Sequence, residues 1–168
     1  QDLIDQAEVD AKNISDQKGA DNKSTKNMVN NHDITGSIAQ NIVFEYFDLE
    51  GIEIGRTSYF DKSIHQDLCD LEHRGLNDVK GSPTKGKWNE VYPNTSFLLS
   101  DHQRDKVVDW YTFVRLDLDN RVAHIAGVIS YQDFLDKSVK ANYPNLKSPC
   151  HTISAKDLKP FRDYVYGV

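Results

Sequence analysis

Cysteine is scarce in this chain. Only Cys69 and Cys150 occur among 168 residues, too few for a disulfide framework or a four-thiolate zinc site, and each has apolar or strand-like neighbours that suit a buried thiol. No run of 18 apolar residues is present, and the N-terminus lacks the charged-then-apolar order of a secretory leader. A soluble, intracellular, cytoplasmic protein is therefore expected. A glycine-rich phosphate loop, a His-Glu-x-x-His helix and a Gly-x-Ser-x-Gly elbow are all missing, so several large enzyme classes lose their usual signal. The six histidines (His32, His65, His73, His102, His124 and His151) show no ligand spacing, which argues against histidine-metal chemistry. Positive charge is also in deficit. With 20 Lys and Arg against 26 Asp and Glu, the net charge is −6, which excludes a nucleic-acid condenser coated all round with bases.

Core-forming residues are sufficient. Val, Ile, Leu and Phe number 13, 11, 12 and 7, above the level associated with disorder, and 168 residues match one domain. Residues 1–32 are polar, with Leu3, Ala7 and Ile14 at helical spacing, and read as an N-terminal arm with a weak amphipathic helix. Residues 33–168 read as the single folded domain. From Asp33, Ile34, Ile38, Ile42, Val43, Tyr46 and Phe47 recur at three- and four-residue steps, the mark of a helix with one buried face ending near Gly51. Ile52 and Ile54 then lead into a strand-rich region. The stretch 64–80 reads as two short strands joined at His73-Arg74-Gly75, and Gly81-Ser82-Pro83 reads as a break. Ser100 and Gln103 have capping-box spacing for a short helix before Asp109. Trp110–Leu118 and Val122–Ser130 read as paired strands around a turn at Asp119-Asn120, Asp133–Val139 as a helical turn, and Ala155–Val165 as a closing helix interrupted by Pro160. The order predicts an α/β domain with a central mixed sheet flanked by helices.

Charge is unevenly distributed. Between Phe44 and Glu72 eight acids meet two bases, whereas between Lys137 and Arg162 six bases meet one acid. An acidic cluster flanked by basic segments suits a site that holds cations and grips a polyanion; ordinary solvated faces are the alternative.

The most informative geometry lies in the hairpin. If residues 73–75 form its loop, facing positions sum to 148, and Asp70 lies opposite Asp78 with about 5 Å between β-carbons. Strand alternation adds Lys80 to that face and turns Val79 to the other, toward the core. Two adjacent carboxylates are costly unless a proton or cation neutralises them, and oxygen-only ligands suit Mg²⁺ or Mn²⁺. A cation held there could polarise a phosphodiester and acidify water, with an ammonium beside it. A surface ion pair is the alternative reading of Asp78-Val79-Lys80 alone.

The segment from Cys69 to Ser82, with its turn glycine, its Asp78-Val79-Lys80 and the small polar Ser82 after it, resembles the two-strand signature of the PD-(D/E)XK nuclease superfamily. The helix before it and the Trp110 strand after it match that order over roughly Asp33 to Ser130. The resemblance implies a restriction-endonuclease-like core and a Mg²⁺-dependent nuclease, with Mn²⁺ able to substitute, most readily acting on DNA. It implies Asp70 and Asp78 as metal ligands, the Val79 carbonyl as a further ligand and Lys80 as the residue acting on the attacking water. Many members carry a glutamate on the first helix where this chain has Gln40, a neutral and weaker ligand that leaves a second metal in question. Ser82, Lys85, Lys87 and Trp88 follow in a loop suited to phosphate contacts and base stacking, although Trp88 equally suits a core. Gln103, Arg104 and Lys106 are further candidates for nucleic-acid contact, against capping and solvated roles. A homodimer fits the restriction-type and junction-resolving members. The competing expectation is a noncatalytic nucleic-acid-binding or assembly module that retains the nuclease fold.

Overall fold

The apolar spacing that begins at Asp33 produces helix α1, Asn31–Leu49, in a computed structural model that describes residues 31–56, 70–84, 93–101, 108–143 and 149–168. Ile38, Ala39, Val43 and Phe47 are buried on one face, whereas Glu45 and Asp48 face solvent. Burial of a side chain the size of Phe47 favours folding by about 1.5–3 kcal/mol. The helix stops where the Gly51 amide bonds the Asp48 carbonyl (3.1 Å) and the Ile52 amide bonds the Phe47 carbonyl (2.9 Å), the paired bonds of a Schellman end.

Five strands form the central sheet in the order β1, β2, β3, β5, β6: β1 is Gly55–Arg56, β2 Leu71–Glu72, β3 Leu76–Pro83, β5 Trp110–Asp117 and β6 Val122–Ser130. All neighbours are antiparallel except β3 and β5, which run parallel from Asn77 opposite Trp110 to Pro83 opposite Leu116. The sheet is thus mixed and flanked by helices. A second sheet, β4 (Ser96–Ser100), β8 (Cys150–Ser154) and β7 (Val139–Ala141), lies over the other face. The remaining elements are α2 (Tyr131–Lys137), a 3-10 turn at Ala155–Asp157 and α3 (Phe161–Tyr166).

Strand β5 is covered on both faces, and its alternation divides the interior. Val114 and Leu116 join α1, α3, Leu71 and Val79 in one core. Tyr111 and Phe113 join Phe97, Leu99, Ile129, Phe134 and Ile153 in the other. This two-sided burial explains the near-continuous apolar reading of β5.

Several expectations need correction. Gly81-Ser82-Pro83 does not break the pattern: β3 continues through all three, because their backbone pairs with Val114, Arg115 and Leu116. Proline is tolerated there because the Leu116 carbonyl takes its bond from the Thr84 amide, so no donor toward β5 is needed at position 83. Ser100 closes strand β4 and Asp101 beside it takes a 3-10 conformation, while the helix expected after Ser100 falls largely on residues 102–107, outside the described residues. The closing helix begins only at Phe161, since Pro160 separates it from the 3-10 turn. Strands β7 and β8 were not expected. Among the described residues no helix is long and apolar enough to cross a membrane.

Candidate functional site

Strands β2 and β3 pair with Leu71 opposite Asn77 and Glu72 opposite Leu76, so facing numbers sum to 148 as the hairpin spacing predicts. The loop takes positive φ at Arg74 (54°) and Gly75 (109°). A Cβ on Gly75 would lie 2.5 Å from a carboxylate oxygen of Asp109, so close approach and backbone conformation both require glycine there. That same carboxylate accepts the Leu76 amide at 2.8 Å. The loop is anchored on its other side by α3: the Tyr164 hydroxyl donates to the His73 carbonyl and accepts from Asn77 Nδ2 at 3.0 Å, and Asn77 Oδ1 accepts from Thr112 at 3.0 Å. Burial pushes the Tyr164 phenol up to about 12, which keeps it neutral and able to donate.

Past Leu71 the ladder between β2 and β3 is taken over by a side chain. The Asp70 amide still bonds the Asn77 carbonyl at 2.9 Å, but the Val79 amide is met by Asp70 Oδ2 at 2.6 Å. In a strand, the N–H and C=O of one residue point the same way, so the Val79 carbonyl is directed to the same edge of β3. Gln40 of α1 donates to the other oxygen, Asp70 Oδ1, at 2.6 Å. Lys80 Nζ lies 2.7 Å from Asp78 Oδ2, with the Asp78 side chain 3% and the Lys80 side chain 16% exposed. Val79 is buried against α1 on the opposite face.

Gly81 explains how a helix residue reaches the hairpin. A Cβ at this position would sit 2.6 Å from the Thr35 carbonyl, so only glycine lets the start of α1 lie directly on β3. Gln40, a little over one turn further along, then reaches Asp70.

The site is electrostatically tense. Burial, followed by the neighbouring Asp78 carboxyl, pushes the Asp70 carboxyl up to about 8; Lys80 and the Val79 amide oppose the shift. Without a cation, Asp70 therefore holds a proton near neutrality and shares a hydrogen bond with Asp78. Among the described residues no group of three or more His, Cys, Asp or Glu side chains is placed to hold a metal. The available donor set is two carboxylates with the Val79 carbonyl beside them. Its oxygen-only chemistry fits Mg²⁺ or Mn²⁺, and a proton retained between two buried acids marks where positive charge is favoured.

Of the residues singled out by sequence, Gln40, Asp70, Asp78, Val79 and Lys80 converge. Ser82 lies one pleat beyond Lys80, and its hydroxyl meets Arg115 Nη1 at 3.5 Å. Lys85, Lys87, Trp88, Gln103, Arg104 and Lys106 lie outside the described residues. Arg115 was missed by sequence reasoning. It is one base within a strand, and only the pairing of β3 with β5 sets it opposite Ser82.

No family model, curated protein or solved structure matches the chain.

Proposed function

We propose that the chain is a metal-dependent nuclease with a restriction-endonuclease-like core, hydrolysing phosphodiester bonds, most readily in DNA. The observation that carries this reading is the convergence of Gln40, Asp70, Asp78 and Lys80 from α1, β2 and β3 around one pair of buried carboxyls. When bound, Mg²⁺ or Mn²⁺ would supply Lewis acidity at a phosphodiester oxygen and lower the pKa of a water. Asp70 and Asp78 would hold the ion, with the Val79 carbonyl as a further donor.

The chain's own groups supply the rest. Asp70 gives up its proton when a cation replaces it, and Gln40 and the Val79 amide hold the carboxylate in place through one oxygen each. The Lys80 ammonium, fixed by Asp78, orients the attacking water and balances charge that develops on the phosphoryl oxygens. With both acids ionised, the cluster of Asp70, Asp78 and Lys80 carries one net negative charge, which a divalent cation turns into one net positive charge. That charge complements a phosphodiester monoanion.

The second reading, a binding module that no longer cleaves, draws on the closed bonding between Gln40 and Asp70 and between Lys80 and Asp78. Relaxation of supercoiled plasmid in Mg²⁺ separates the two. Cleavage that disappears in Asp78→Ala and in Lys80→Ala is the outcome expected of a nuclease. DNA binding without cleavage at any Mg²⁺ or Mn²⁺ concentration would leave the binding module. The same assay on linear, branched and single-stranded substrates assigns the subclass: restriction-type endonuclease, junction resolvase or repair nuclease. Sedimentation of the protein tests the homodimer that the first two commonly form.

A further inference from the structure

Beyond Lys80, β3 continues on the same face with Ser82, opposite Arg115 of β5, which is in turn opposite His124 of β6. The Arg115 guanidinium meets the Ser82 hydroxyl at 3.5 Å. Partial burial lowers the Arg115 pKa from its ordinary value, but a guanidinium remains protonated in proteins. The Thr84 amide prolongs the ladder with a 2.7 Å bond to the Leu116 carbonyl, and alternation returns the Thr84 side chain to the Ser82 face.

Two polar atoms in this row are buried and meet no hydrogen-bond partner among the described residues: Thr84 Oγ1 and His124 Nε2. Buried polar atoms are ordinarily satisfied, so this pair flanking a cation calls for an explanation. Asp117, two residues beyond Arg115 on the same face of β5, accepts from the Asn120 amide (3.1 Å) and side chain (2.7 Å). The row therefore brings together hydroxyls, an imidazole and a guanidinium.

We propose that Ser82, Thr84, Arg115 and His124 form an anion subsite holding a phosphate of the nucleic-acid strand that flanks the phosphodiester at Lys80. The proposal rests on the nuclease reading and extends it: Ser82 is two residues beyond Lys80, roughly 6.6 Å along the strand, comparable to the spacing of neighbouring phosphates on one nucleic-acid backbone. A guanidinium backed by hydroxyls suits a phosphate oxygen pair, and its contact fixes register without reading sequence.

The test is fluorescence anisotropy of a labelled DNA duplex with the full chain in Ca²⁺, titrated at several salt concentrations. Arg115→Gln is expected to weaken binding about tenfold and to flatten the dependence of log K on log salt by about 0.9, one phosphate contact, whereas Arg115→Lys retains the slope. Ser82→Asp, which sets a carboxylate against Arg115 from the neighbouring strand, is expected to flatten it equally and serves if Arg115→Gln does not fold. Slopes equal to wild type in the folded variants overturn the proposal. So does stabilisation by inorganic phosphate through Arg115 with no change in the DNA slope, which would mark a site for free phosphate. Plasmid cleavage by the wild type is scored separately. A slope change without cleavage keeps the subsite and rejects hydrolysis, and cleavage with unchanged slopes rejects the subsite alone.

Discussion

Gln40 of α1 donates a 2.6 Å hydrogen bond to Oδ1 of Asp70, 30 residues further along the chain. Asp70 in turn receives the Val79 amide on its other oxygen, so one carboxyl ties the first helix to the central hairpin at the point where β2 stops pairing. A glutamine can brace this carboxyl without adding charge. A glutamate in its place would add a third anion to the pair. In the metal-free protein, Gln40→Glu is accordingly expected to lower stability by about 1–3 kcal/mol through a repelled, unsatisfied buried group. In Mn²⁺ it is expected to bind the ion more tightly than wild type. Urea denaturation with and without Mn²⁺, together with calorimetric titration, measures both.

The pH dependence follows from Asp70. Its folded pKa is raised to about 8 from an ordinary 3.8, so between those values the folded state holds a proton that the unfolded state has released. The stabilisation from this group is complete below the unfolded pKa and is lost as pH rises through about 8. Metal-free wild type is therefore expected to lose stability from about pH 4 to about pH 8, and Asp70→Asn to remove most of that slope. Adding Mn²⁺ is expected to raise stability increasingly with pH, because the ion competes with the proton. Urea midpoints at a series of pH values test the sign.

The buried ion pair between Lys80 and Asp78 separates stability from chemistry. Lys80→Ala strands a carboxylate that is almost fully buried and is expected to cost about 3–5 kcal/mol. The double variant Asp78→Asn with Lys80→Met removes both charges and is expected to recover most of that loss. It is also expected to cleave at least about 100-fold more slowly than wild type, having lost a ligand and the ammonium. Melting temperatures and plasmid cleavage on the same samples check the two halves.

Gly81→Ala is expected to separate α1 from β3, because the new methyl would press on the Thr35 carbonyl. A cost of about 1–3 kcal/mol is expected from overpacking, with loss of the contact between Gln40 and Asp70. Amide hydrogen exchange at Val79, which depends on the position of Asp70, reads this directly.

Much of this arrangement was legible because its signals are local. The three-residue loop at Gly75 sets the register of Leu71 against Asn77 and of Glu72 against Leu76, beyond which Asp70 comes beside Asp78, and the two-residue period assigns Val79 and Lys80 to opposite faces. The spacing of Ile38, Val43 and Phe47 likewise marks the buried face of α1. What escaped depends on distant pairing. Gly81-Ser82-Pro83 looks like a break, yet β5 supplies a parallel partner that carries the strand through it. Strands β7 and β8 carry Lys140, His151 and Thr152 among few apolar residues, and gain their order from pairing across the chain, β8 with β4 and β7 with β8. Arg115, Thr84 and His124 come from three segments with no shared motif, and only the order of strands in the sheet reveals that they are neighbours.

The most direct test is anomalous diffraction from a crystal of the wild-type protein soaked in Mn²⁺ above pH 8. A peak about 2.1 Å from oxygens of both Asp70 and Asp78, with Lys80 still against Asp78, is the expected result. An empty difference map at that position, with the two carboxyls still hydrogen-bonded to each other, would contradict it.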